Sequence, residues 1–307
     1  LKIVKPNRLP KGGTVGVIAP AGPPNQENLE YGIRFLTNLG LKVKIGKNIG
    51  KINGYLAGKD EERLEDLHEM FLDHEVKGIF CACGGYGTGR IAAQINYEII
   101  RKNPKIFWGY SDITFLHTAI RQQTGLVTFH GPMLGSDVGK KDIHPLSKVG
   151  FRQLFQPWEI TYSEQISPLE VLEEGTAVGE LVGGNLTLLV STLGTKFEID
   201  TKDKILFIED IHEEPRTVDR MLNQLYMAGK LEAANGILIG DFCGCEPKRN
   251  PSLTLEEVIS HYTALAGKPA LKGFQIGHCN PHIAIPLGVQ AELNTFEKRI
   301  TVESGIL

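Results

Sequence analysis

Apolar and polar residues recur along this chain with two different periods, and the switches between them outline its elements. Residues 14–20 (Thr-Val-Gly-Val-Ile-Ala-Pro) form a short apolar run closed by a loop rich in Gly and Pro, which predicts a buried strand. From residue 26 to 39, Leu29, Ile33 and Leu36 return at helical spacing and Gly40 supplies the stop. A strand over 41–45 and a helix over 60–73 follow, the helix with Leu64, Leu67 and Phe71 inward and its charged residues on a solvated face. A third strand, 78–83, empties into Gly84-Gly85-Tyr86-Gly87-Thr88-Gly89-Arg90. Lys105-Ile106-Phe107-Trp108 predicts the next, and after Gly109 a helical pattern runs through Leu116, Ala119 and Ile120 to Gly125. Residues 126–129 start another strand that ends at His130-Gly131-Pro132.

Strands alternating with helices predict a mostly parallel sheet covered on both faces, with ligands at the carboxyl ends of its strands. Ala19-Pro20, Gly84-Gly85-Tyr86, Ser111 and His130 all lie just past such ends. Between 139 and 175 the pattern weakens, broken by Pro145, Pro157 and Pro168. Beyond it strands are expected at 179–182, 204–208, 236–239, 273–276, 288–293 and 299–302, with helices at 186–192, 217–227 and 253–265. The expected organisation is an N-terminal domain over 1–140, a crossover over 141–175 and a smaller β-rich, mixed α/β domain over 176–307.

Composition narrows the function classes. The 307 residues are 41% hydrophobic and 22% charged with a net charge of -3, an ordinary globular balance without the basic excess that nucleic-acid binding calls for. No apolar run approaches the ~20 residues of a membrane span. Residues 1–13 carry Lys2, Lys5, Arg8 and Lys11 without an apolar core, unlike a secretory signal. Five cysteines (Cys81, Cys83, Cys243, Cys245, Cys279), mostly in strand-like runs, predict reduced thiols in the cytoplasm; their C-x-C spacing suits strand packing better than zinc.

Candidate chemistry centres on Ser111. At a strand-to-helix corner its hydroxyl is lifted from the sheet beside the N–H groups of the helix's first turn, as an acyl-transfer nucleophile requires, although Ser is also a common helix cap. Gly109-Tyr110-Ser111-Asp112-Ile113 matches the first half of the hydrolase elbow G-x-S-x-G and ends in Ile. The glycines at 84–89 fit neither a dinucleotide fingerprint nor a Walker loop. They suit either a tight turn or backbone donors for an oxyanion. Two later strands end in Glu209-Asp210 and in Gly277-His278, which would supply the carboxylate and imidazole that a serine nucleophile needs. His130 and His282 are rival bases and Asp210 a rival orienter.

In order along the chain, Gly54-Tyr55-Leu56-Ala57-Gly58, Gly84-Gly85-Tyr86-Gly87, Gly109-Tyr110-Ser111-Asp112-Ile113-Thr114, Phe129-His130-Gly131-Pro132, Gly183-Gly184-Asn185-Leu186-Thr187, Phe207-Ile208-Glu209-Asp210 and Gly277-His278 resemble the successive motifs of the LD-carboxypeptidase family of serine peptidases, which includes the microcin-immunity peptidases. The resemblance implies a flavodoxin-like parallel-sheet N-terminal domain joined to a smaller β-rich domain, with the active site at the domain interface, in a homodimer. It implies a Ser111–Glu209–His278 triad, backbone donors at Gly85 and Asp112, and candidate substrate contacts at Gly84, Tyr86, His130 and Asn185. Neither metal nor organic cofactor is implied. The expected activity is release of a C-terminal D-residue from murein-derived peptides in peptidoglycan recycling. The alternatives are an amidase of peptidyl or aminoacyl nucleotides and a non-catalytic two-lobed binding protein. Cys83 stands where the family commonly has Arg.

Overall fold

A computed structural model describes residues 1–307. The chain forms two compact units, one comprising Leu1–Trp158, Asn280–Gly288 and Ser304–Leu307, the other Glu159–Cys279 and Val289–Glu303. These bounds differ from the division drawn at 140 and 175. Residues 141–158 stay with the first unit, 159–175 give two strands to the second, and two late segments return to the first. Those two strands are short and partly exposed, with Pro168 and Gly175 close by, so their period-2 signal is faint.

The first unit is a six-stranded sheet. Its strands are β1 (Thr14–Ile18), β2 (Lys42–Ile45), β3 (Val76–Cys81), β4 (Ile106–Gly109) and β5 (Thr128–His130), all parallel, with β12 (Ile285–Leu287) antiparallel on β5. The spatial order is β12-β5-β4-β3-β1-β2. Helices α1 (Gln26–Asn38), α2 (Asp60–Leu72), α3 (Thr88–Ala92), α4 (Tyr97–Lys102), α5 (Thr114–Thr124) and α6 (Pro145–Val149) connect or follow these strands. The core is aromatic: Trp108 packs 4.5 Å from Phe151 and 6.0 Å from Phe129, ring centre to ring centre, and its indole N–H donates to the carbonyl of Pro132 at 2.9 Å.

Helix α2 departs from its expected solvated charged face. Arg63 and Asp66 are buried, at 1% and 3% exposure. Asp66 accepts from the backbone N–H and side-chain amide of Asn48, while Arg63 reaches backbone carbonyls outside its own helix. Both are tolerated inside because the Asp66 carboxylate and the two terminal nitrogens of Arg63 meet fixed partners.

The second unit holds an eight-stranded sheet. Its parallel centre is β8 (Thr176–Asn185), β9 (Lys204–Ile211), β10 (Gly236–Cys243) and β11 (Ala270–Lys272). β7 (Glu170–Glu173) closes one side antiparallel, and β13 (Gln290–Asn294), β14 (Arg299–Val302) and β6 (Ile160–Ser163) extend the other. Helices α7 (Leu186–Thr192), α8 (Pro215–Met227), α9 (Lys230–Ala233) and α10 (Leu255–Ala266) accompany it; Leu206, Ile208, Ile237 and Ile239 meet Leu189, Leu222, Leu225 and Ile259 in the core. The strand expected at 273–276 lies earlier, at Ala270–Lys272, because Gly273 turns the backbone to φ +101°. No helix is long and apolar enough to cross a membrane.

Helix α5 ends at Gly125, whose left-handed φ of +76° lets its N–H reach the carbonyl of Arg121 at 2.7 Å, and whose missing side chain leaves room for the carbonyl of Lys2. Gly125→Ala should therefore lower stability by about 1–3 kcal/mol, read as a lower denaturant midpoint, through backbone strain and the collision with Lys2.

Candidate active site

β4 ends at Gly109, Tyr110 remains extended, and Ser111 then adopts φ +62°, a left-handed backbone that an L-residue with a side chain holds at a cost of about 1–2 kcal/mol. A short 3-10 turn, Ser111–Ile113, leads into α5. This is the geometry of a nucleophile elbow, and the Ile at the fifth position of the pattern does not prevent it. Gly109 itself is packed: a Cβ there would lie 3.0 Å from Cβ of Cys81 and 3.1 Å from the Ile113 side chain.

The glycine-rich turn lies against this serine. A Cβ on Gly84 would come within 2.9 Å of both Cβ and Oγ of Ser111 and 3.5 Å from the backbone N of Asp112. Gly85 and Gly87 take φ of +115° and +122°. The turn is anchored on two sides. Gly22 N–H donates to the Gly84 carbonyl at 3.0 Å and the Cys83 thiol to the Gly22 carbonyl at 3.1 Å. Thr88 N–H donates to the Asp112 carboxylate at 2.9 Å, and Thr88 Oγ1 to the Asp112 carbonyl at 2.6 Å. Burial raises the Asp112 carboxyl above its ordinary value, opposed by these donors, and pushes the Cys83 thiol up to about 12. A thiol so shifted stays protonated and donates; it is not a nucleophile.

In the second unit the end of β9 carries Glu209, wholly buried, whose Oε2 lies 2.7 Å from Nδ1 of His278. The imidazole is 12% exposed. Gly277 makes the approach possible, since with φ +127° a Cβ there would sit 2.7 Å from Glu209 Oε2. Burial raises the Glu209 carboxyl, and the charge and hydrogen bond of His278 oppose that rise. A carboxylate on Nδ1 keeps the proton at that nitrogen, leaving Nε2 as the basic one.

The remaining candidates separate by what they touch. Asp210 accepts from Asn185 Nδ2, the N–H and Oγ1 of Thr187 and its neighbour Ile211 N–H, all at 2.8–3.0 Å, so it organises the start of α7, not a histidine. Asn185, 3% exposed, also caps that helix by accepting from Leu188 N–H at 3.2 Å. His130 and His282 are 0% and 2% exposed, with ring centres 5.5 and 4.5 Å from Tyr110. They pack against the residue that precedes the serine. Tyr86 is 54% exposed and meets the still more open Tyr55 edge-on at 5.6 Å. The five cysteines are unpaired, and no group of His, Cys, Asp and Glu is arranged to hold a metal ion. A cleft of about 830 Å³ in the second unit is lined by Asp241, Phe242, Phe274 and Gln275, on the segment leading to His278.

Three contributions are not legible in the local sequence pattern: the space at Gly277, the burial of Arg63 among the charged residues of α2, and Asp241, whose carboxyl the His278 charge holds down against burial. The glycine directly before a candidate histidine is the one usable signal among them.

The chain matches the LD-carboxypeptidase N-terminal domain over residues 15–131 and the LD-carboxypeptidase C-terminal domain over residues 178–293. It is 63% identical to the probable murein peptide carboxypeptidase of Bacillus subtilis (strain 168) over 303 residues, 98% of this chain and 95% of that protein. The crystal structure of muramoyltetrapeptide carboxypeptidase from Oxalobacter formigenes superposes with a TM-score of 0.84 at 28% identity, covering 94% of this chain and 97% of that one. The microcin C7 self-immunity protein MccF in complex with aspartyl sulfamoyl adenosine superposes with a TM-score of 0.88 at 26% identity, over 98% of each chain. The chain belongs to the LD-carboxypeptidase family and is a serine-type carboxypeptidase.

Proposed function

We propose that this protein hydrolyses an L–D amide bond and releases the C-terminal D-amino acid of a murein-derived peptide. The observation that carries this reading is the left-handed Ser111 at the exit of β4, set against Gly84 of the glycine turn. His278, oriented by Glu209, takes the Ser111 proton as the hydroxyl attacks the carbonyl carbon. The N–H groups of Gly85 and Asp112 hold the oxyanion. The tetrahedral intermediate then expels the amine, which His278 protonates, leaving an acyl ester on Ser111. Water attacks that ester with His278 again as base, releasing the shortened peptide and restoring the hydroxyl. Gly84 and Tyr86 stand at the substrate side of the turn; His130 and Asn185 act by supporting Tyr110 and α7. The similarity to the Bacillus subtilis and Oxalobacter formigenes proteins supports the murein substrate. The same reading places the protein in the cytoplasm as a homodimer recycling peptidoglycan fragments, in keeping with its unpaired thiols.

A second reading, hydrolysis of aminoacyl nucleotides, is favoured by the MccF complex with aspartyl sulfamoyl adenosine. Turnover of a murein tetrapeptide beside that compound separates the two.

Ser111→Ala should fold normally and lose on the order of 10⁶ in kcat, the loss found when a hydrolase serine is removed. It should also lose labelling by a fluorophosphonate at residue 111, mapped by mass spectrometry. Full turnover by a folded Ser111→Ala protein would end the assignment.

Glu209→Gln should lower kcat by about 10³–10⁴, by analogy with loss of the triad carboxylate elsewhere. Because burial raises the Glu209 carboxyl above its ordinary 4.5, the stability its protonated form contributes is lost as pH rises through the raised value. The melting temperature of Glu209→Gln should consequently gain on that of the wild type as pH is taken upward from 4.5.

Gly84→Ala places a methyl 2.9 Å from Ser111 Oγ, so kcat should fall by about 10² or more while the melting temperature changes by a few degrees.

A further inference from the structure

Arg63 is the largest buried charged side chain of the first unit, 1% exposed on the inner side of α2. Its Nη1 donates to the carbonyls of Pro20, at 2.5 Å, and Gly87, at 2.9 Å; its Nη2 donates to Oδ1 of Asp60 at 2.5 Å. Asp60 is held in turn by Nε and Nη2 of Arg90, at 2.9–3.1 Å. These contacts join three segments: the exit of β1, the first turn of α2, and the glycine turn that abuts Ser111. The fit leaves no slack at Gly87, where a Cβ would lie 2.7 Å from Arg63 Nη1.

Gly22 fixes the start of the turn through the Gly84 carbonyl, and Asp112 fixes Thr88 beyond it. Between those anchors Gly85 and Gly87 occupy left-handed backbone, where glycine has many conformations of similar energy. The guanidinium selects one by holding the Gly87 carbonyl with a charged donor, while the Asp112 carboxylate accepts from the Gly87 N–H.

We propose that Arg63 is a positioning residue for the oxyanion donors: through the Gly87 carbonyl it sets the direction of the Gly85 N–H, without touching substrate. The inference rests on the catalytic reading above, in which that N–H binds the developing oxyanion. The guanidinium's planar fork is what the arrangement uses, so lysine, with a single ammonium, does not replace it.

The test compares wild type with Arg63→Gln and Arg63→Lys in two assays, steady-state hydrolysis of an L–D peptide and the rate of fluorophosphonate labelling at Ser111. Loss of one donor costs ~10²–10³ in turnover, and a misplaced donor costs part of that. Folded variants should therefore lose about 10–100-fold in kcat, with KM within about threefold, and labelling should slow in step. Variants whose kcat and labelling stay within about twofold of wild type would overturn the proposal. So would a fall in kcat matched by a rise in KM, the mark of general loosening. If Arg63→Gln does not fold, Arg63→Lys and Asp60→Asn carry the same comparison. A wild-type protein that labels at Ser111 but cleaves no L–D peptide would sink the substrate reading alone, since the labelling rates still decide the role of Arg63.

Discussion

Ser111 can keep a left-handed backbone only because its surroundings leave it no other. β4 delivers it from a sheet interior, α5 begins within three residues, Gly84 brings backbone up to it where a side chain would collide, and Gly109 lets the strand exit pack on Cys81 and Ile113. The strain of about 1–2 kcal/mol is small beside the packing of Trp108, Phe129 and Phe151, so the fold sustains it. The return is a hydroxyl standing clear of the sheet with the N–H of Asp112 next to it in the chain. Gly277 serves the same end in the second unit, since its missing side chain is the space through which Glu209 reaches His278.

The buried charges follow one rule. Glu209, Asp112, Asp66, Asp210 and Arg63 are each at most 3% exposed, and each is met by hydrogen-bonding groups of neighbouring segments. Where burial raises a carboxyl, as at Glu209, Asp112 and Asp66, named donors oppose the rise. Such groups are costly to desolvate and costlier to leave unpaired, so each holds its partners in one arrangement. That property suits a site in which donors must wait in position for a charge that exists only during the reaction.

Burial also sorts residues of the same motifs. Glu209 and Asp210 are adjacent at the end of β9, where side chains alternate between faces; one orients His278 while the other gathers Asn185 and Thr187 at the head of α7. His130 ends β5 near the serine in sequence logic, yet its ring is enclosed with His282 around Tyr110. Cys83 donates to the Gly22 carbonyl, so the turn has an anchor at this place without a charge.

The amino-acid sequence by itself determined the local outcomes. Strand-to-helix periodicity located β1, β3, β4 and α5, glycine marked the turns at 84–87 and 125, and the ordered motifs identified the family. These are short-range properties, set by steric limits on the backbone and by side-chain spacing. Only the tertiary structure decided which charges of α2 are buried, that residues 280–288 return to the first sheet as β12, and that Gly277 admits Glu209 to the imidazole. Each of those depends on segments brought together from distant parts of the chain, and no periodicity within one segment records what the other will place against it.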